Sequence, residues 1–118
     1  MHDFRRLRVW QDARVLAVEL TLATRRFPRE DRGVLTVQLR KSAQSIPSNI
    51  SEGCGKSSRR ESIRYLEIAS ASAFETENHV TIAGDLRYLD AAVTEQYLKR
   101  IVSIQRMLRN LINNFGGE

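Results

Sequence analysis

One turn of the chain approaches a phosphate-cradling loop: Gly53-Cys54-Gly55-Lys56-Ser57. Such a loop needs an earlier glycine and a preceding strand, so that consecutive backbone N–H groups aim at the phosphate. Here the earlier position holds Ile50 and a helical pattern leads in, so nucleotide binding at this turn is not expected. Cys54 is the one cysteine, and neighbouring Lys56 favours its thiolate. Neither His2 nor His79 stands where the sequence would place its base, so an inert thiol is expected. These residues have no zinc spacing and one cysteine closes no internal disulfide, so no metal, cofactor or staple is expected. Glu75 and Glu77 do not form a catalytic pair, because residues two apart on a helix point about 200° apart. With no acid, base or nucleophile assembled, the chain is not expected to be an enzyme.

Arginine is the reactive surface that remains. Sixteen Arg and three Lys account for the net charge of +5, and guanidinium groups suit bidentate contact with phosphate or carboxylate. A genome rich in G and C enriches arginine as well, so composition alone does not decide for nucleic acid.

Helices must position these groups. Two prolines and six glycines in 118 residues, with Ala, Leu, Arg, Glu and Gln abundant, favour an all-α chain, and the length suits one domain over residues 1–118. From Val9 to Phe27 the apolar positions Val9, Ala13, Leu16, Leu20, Ala23 and Phe27 recur at helical steps. Pro28 closes that segment, and Glu30-Asp31 put negative charge where a second helix begins. Leu35, Leu39, Ala43, Ile46 and Ile50 form its inward face, Pro47 predicts a bend near Ala43, and Gly53 and Gly55 stop it. Ser58-Arg59-Arg60-Glu61 is a capping box opening a third helix that runs to about Leu86, with Ile63, Leu66, Ala69, Ala73 and Val80 inward. The small tract Ala69 to Ala73 implies close helix approach. Asp90 caps a fourth helix with Tyr97, Ile101, Ile104, Leu108, Leu111 and Phe115 inward, ended by Gly116-Gly117. Short links predict an antiparallel up-down-up-down four-helix bundle. No apolar run approaches the roughly 18 residues of a membrane span, and Met1 to Arg6 lead into no signal segment, so a cytoplasmic protein without membrane contact is expected.

Two helices carry more apolar surface than one core can use. Val15, Val18 and Leu22 lie opposite helix one's inward stripe, and Ile68, Ala71, Ile82 and Leu86 lie away from that of helix three, with Glu75 among them. Burial against further copies of the chain is the expected use. Glu77, by contrast, projects inward, where a carboxylate needs a partner, and Arg40 beside helix two's inward face is predicted to form a structural ion pair with it.

In such a bundle the N-terminus, the link between helices two and three, and the C-terminus share one end. Arg5, Arg6 and Arg8 against Asp3 leave +2; Lys56, Arg59, Arg60 and Arg64 against Glu52 and Glu61 leave +2; Arg106 and Arg109 against Glu118 leave +1. The whole net charge thus falls at that end, while Arg25, Arg26, Arg29, Arg32 and Arg87 at the other are nearly balanced by Glu30, Asp31, Asp85 and Asp90. Arg5, Arg6, Arg8, Lys56, Arg59 and Arg60 are the candidate phosphate-binding residues.

The run Gln38 to Gly53, with Ser45-Ile46-Pro47-Ser48-Asn49-Ile50-Ser51-Glu52-Gly53 at its centre, resembles the signature of the 23S ribosomal RNA intervening-sequence proteins. Phe4, Leu7, Val9-Trp10, Ala13, Phe27-Pro28, Leu66, Ile68-Ala69, Ser72, Glu75 and Glu77 match further landmarks, so the similarity spans roughly residues 4 to 115. Cys54 stands where an aromatic is common, Ser48 and Ser51 where alanine is, and Ala71 where glycine is. The resemblance implies a four-helix bundle that forms a homo-oligomer, with pentamers known among relatives. A similar accessory protein of diversity-generating retroelements binds nucleic acid and a reverse transcriptase. The expectation is a non-enzymatic homo-oligomer that binds RNA or DNA through its arginine-rich end; the alternative is an oligomeric scaffold for an acidic protein partner.

Overall fold

The computed structural model describes residues 3–116, and His2, Gly117 and Glu118 lie outside the described residues. Four α-helices carry the fold, and the described residues contain no strand: α1 Arg8–Ala23, α2 Val37–Cys54, α3 Arg59–Asp85 and α4 Ala91–Gly116. None is long and apolar enough to cross a membrane.

The inward stripes make one core. Val9, Ala13, Leu16 and Leu20 of α1 meet Leu39, Ala43, Ile46 and Ile50 of α2, Leu66, Ala69, Ala73 and Val80 of α3, and Tyr97, Ile101, Ile104 and Leu108 of α4, all buried. Ile112 is buried in place of Leu111, which with Ile63 and Phe115 packs only at the core's edge. The principal contacts run α1 to α2, α2 to α3 and α3 to α4, with a lighter α1 to α4 seam, so α1 and α3 sit diagonally. Neighbours meet with residue numbers running in opposite senses. Arg40 faces Thr24 while Gln44 faces Thr21, and Ser42 faces Thr76 while Ser62 faces Gly53. The result is a rod of 46 × 24 × 20 Å.

Links differ from expectation at one place. α1 gives way to a 3-10 turn, Thr24–Arg26, and α2 is preceded by a 3-10 turn, Arg29–Asp31, and a π-helical turn, Arg32–Thr36. Gly33 and the β-branched Val34 and Thr36 are poor α-helix formers, and a widened turn is where such a run is accommodated. Beyond it α2 continues through Pro47 to Cys54.

Caps explain the remaining boundaries. The Ser58 hydroxyl accepts from Glu61 N–H at 3.1 Å, and the Asp90 carboxylate accepts from Val93 N–H at 2.8 Å, each satisfying an orphan donor of a first turn. At the end of α3, Arg87 N–H reaches Gly84 O at 3.0 Å and Tyr88 N–H reaches Ala83 O at 2.9 Å, the paired bonds of a Schellman stop. Its left-handed residue is Arg87, at φ 63°, where glycine is usual because a side chain crowds the following carbonyl. Arg87→Gly is therefore expected to stabilise the fold by about 0.5–1 kcal/mol in urea titration, and a loss of stability would show that the Arg87 side chain is needed there. Tyr88 next in line tilts its ring against Phe27 at 5.2 Å and donates its hydroxyl to Asp31.

The seam between α2 and α3 is polar and narrow. Ser45 and Ser72 hydroxyls pair at 2.8 Å, Thr76 hydroxyl lies 3.0 Å from that of Ser42, and Asn49 donates to the Ser45 carbonyl at 2.8 Å. A methyl group on Gly53 would sit 3.1 Å from the Ser62 carbonyl oxygen and 3.3 Å from the Tyr65 Cβ. The run Ser45 to Gly53 thus works as packing: Ile46 and Ile50 fill the core, Ser45 binds Ser72 across the seam while Asn49 holds Ser45 from within α2, and Gly53 admits α3.

The predicted pair of Arg40 and Glu77 is corrected. The Arg40 guanidinium donates instead to the Thr24 hydroxyl at 2.7 Å, and Glu77 accepts from the Gln105 amide at 2.8 Å. The register explains it: Arg40 stands on the α1 side of α2, whereas Glu77 stands on the α4 side of α3. Among the described residues the bidentate ion pair is Arg100 with Glu19, at 2.8 and 3.2 Å, across the α1 to α4 seam.

Candidate nucleic-acid interface

The basic end is assembled by three chain segments. A 3-10 turn, Phe4–Arg6, is capped by Asp3, whose carboxylate accepts from Arg5 N–H at 3.1 Å. It is tied to α1 where the Gln11 amide donates to the Arg5 carbonyl at 2.7 Å. Phe4 shares a cleft with Ser51, Glu52, Gly55 and Lys56, so this turn lies against the end of α2. The first turns of α3 follow directly and offer a shallow groove lined by Arg59, Arg60, Glu61, Ile63, Arg64 and Glu67. On the other side of α1, Arg8, Asp12 and Val15 share a cleft with Arg100, Ser103 and Ile104, which brings the last turns of α4, with Arg106 and Arg109, beside the start of α1.

Of the six candidates, three have carboxylate neighbours. Arg5 lies 3.5 Å from Asp3, Arg8 3.6 Å from Asp12, and Lys56 3.6 Å from Glu52. Exposed pairs of this kind contribute between nothing and about 1 kcal/mol, so a phosphate can displace them. Arg6, Arg59 and Arg60 are exposed and have no carboxylate within ion-pair distance among the described residues, and Arg64 joins Arg59 and Arg60 in the α3 groove. Arg64 follows Arg60 by one helical turn, a spacing visible in the sequence.

Sequence reasoning overlooked the rings between these cations. Phe4 and Trp10 meet edge to face with centroids 4.9 Å apart. Arg5 lies over Phe4 at 5.4 Å, Arg14 over Trp10 at 5.3 Å, and Lys56 over Tyr65 at 5.0 Å. The alternation of aromatic and basic residues from Phe4 to Arg14 was the available signal.

Elsewhere the remaining reactive side chains stand apart. Cys54 is buried in the core and burial pushes its thiol pKa up, which disfavours the thiolate. Among the described residues no three His, Cys, Asp or Glu side chains come together in a way that could hold a metal. Glu75 sits 3.5 Å from His79, and Glu77 faces the other way, toward Gln105.

The second apolar stripes are on the surface of the single chain. Val15, Val18, Leu22, Ile68, Ile82 and Leu86 are each 37% to 55% exposed. Val34, Val37, Phe74 and Val102 are exposed as well, which the helix-one and helix-three stripes did not include.

Comparison with known proteins bears on the whole chain. The family model described as 23S rRNA-intervening sequence protein matches residues 5–110. A crystal structure from Bacteroides thetaiotaomicron, described as a protein of unknown function from the S23 ribosomal protein family, superposes with a TM-score of 0.81 at 26% identity. The match covers 88% of this chain and 97% of that one. No curated protein matches.

Proposed function

Because the chain belongs to the 23S rRNA-intervening sequence protein family, we propose that it is a non-enzymatic, self-assembling protein whose basic end grips the phosphates of RNA or DNA. The observation that carries this reading is the set of exposed, uncompensated arginines at one end: Arg6, Arg59, Arg60 and Arg64. Arg59 and Arg60 are also in conflict with their own helix. They occupy the first turn of α3, where the helix dipole disfavours positive charge, and Glu61 and the Ser58 cap offset them. Local conflicts of this sort are characteristic of surfaces that serve a ligand.

Assembly supports the same reading. The two apolar patches belong to diagonal helices and so face different directions, a geometry suited to head-to-tail contact between α1 of one copy and α3 of the next. Contacts of that type close into rings where the rotation between neighbours completes a circle, and pentamers are known among the relatives that the resemblance points to. A ring of parallel rods multiplies the basic end and thereby the number of phosphates reached.

Fluorescence anisotropy of labelled RNA and DNA across a salt series tests the proposal. Binding is expected at low salt, with log K falling linearly against log salt at about 0.7–0.9 per phosphate contacted. No binding at low salt, or affinity indifferent to salt, overturns it. A protein partner retained after nuclease treatment, with no affinity for either polymer, would establish the acidic-partner reading in its place.

A further inference from the structure

Three of the four cation–aromatic contacts among the described residues cluster at the basic end, on Phe4, Trp10 and Tyr65. Their arrangement is continuous. Trp10 abuts Phe4, Phe4 and Lys56 line one cleft, and Lys56 reaches over Tyr65. All three rings are half-buried and still present surface outward, with Phe4 and Trp10 packed on the core along one side. Tyr65 is held close to the end of α2 because Gly53 has no side chain to keep it away.

Phosphate contact alone asks only for cations, and a double helix hides the faces of its bases. A surface that interleaves rings with cations can do more: as Arg5, Arg14 and Lys56 swing from the rings they cover onto the backbone, each ring accepts an unpaired base in a stack. The geometry points to a single-stranded nucleic acid as the ligand of this end, with bases stacked along the arc from Trp10 through Phe4 to Tyr65 and phosphates on Arg5, Arg6 and Lys56. This inference rests on the phosphate-binding reading above and narrows it to unpaired RNA or DNA.

Trp10 is the only tryptophan, so its emission reports the proposed stack directly. Titration with oligouridylate and oligodeoxythymidylate of about 12 nucleotides, within the usual span of such sites, is expected to quench it. A duplex carrying the same number of phosphates should bind at least about five-fold more weakly and leave the emission unchanged. Trp10→Leu and Tyr65→Leu, each checked by circular dichroism and thermal melting, should lower affinity for the labelled single strand by about five-fold or more while sparing the duplex. Tighter binding of one oligomer than of the other, read from the titration midpoints, would identify RNA or DNA as the preferred source of the bases. Equal affinity for single strand and duplex, with both variants neutral, overturns the stacking inference and leaves the phosphate reading standing. Equal losses on both polymers overturn it too, since the rings would then act through structure. No binding of any polymer defeats both.

Discussion

Leu22→Glu is expected to reduce the assembly to single chains of 13.5 kDa in light scattering, with the helical circular dichroism unchanged. Leu22 is half exposed on the same outer face as Val15 and Val18, so the charge is harmless to the isolated bundle. Buried against a neighbour, a carboxylate without a partner costs several kcal/mol, enough to empty an interface that depends on a few apolar side chains. Ile82→Glu on α3 is expected to do the same. A mixture of the two variants separates contact types. In a head-to-tail arrangement each retains one intact patch, so the mixture should form dimers that neither variant forms alone. An unchanged mass for both single variants would remove these patches from any interface.

The second large effect belongs to the basic end. Replacing Arg6, Arg59 and Arg60 together with Ala is expected to weaken nucleic-acid binding by about 500-fold near 0.1 M salt, since each released contact is worth roughly eight-fold there. The slope of log K against log salt should fall by about 2 to 3 in the same series. Because these arginines make no ion pair with a carboxylate among the described residues, the variant should melt no lower than the parent. A normal slope would mean that the phosphates are held elsewhere, with Arg25, Arg26 and Arg29 at the opposite end the next residues to replace.

Helix type and core were legible because apolar periodicity is a direct image of burial: Leu39, Ala43, Ile46 and Ile50 recur at helical steps and are all fully enclosed. The caps at Ser58 and Asp90 were legible for the same reason, as local chemistry answers a local need. The α2 to α3 seam was only half visible. The small tract at Ala69 announced a close approach, but the pairing of Ser42 with Thr76 depends on axial register, which periodicity leaves open. Arg40 and Glu77 failed on that count, since inward placement does not say toward which of two neighbours a side chain leans. The π-helical turn before α2 also escaped, because a single widened turn barely alters a stripe measured over many residues. At the candidate site the cations could be counted from the sequence, whereas the arc of Trp10, Phe4 and Tyr65 requires the turn Phe4–Arg6 to fold back against α2.

The uneven placement of charge along a 46 Å rod gives the molecule a permanent electric moment along its length. In the field of any polyanion such a rod experiences a torque before contact, turning its positive pole forward. Encounters would therefore begin end-on, and the orientation that puts Arg6, Arg59 and Arg60 nearest the strand is selected during diffusion. Dissolved salt would then slow capture as well as loosen the grip.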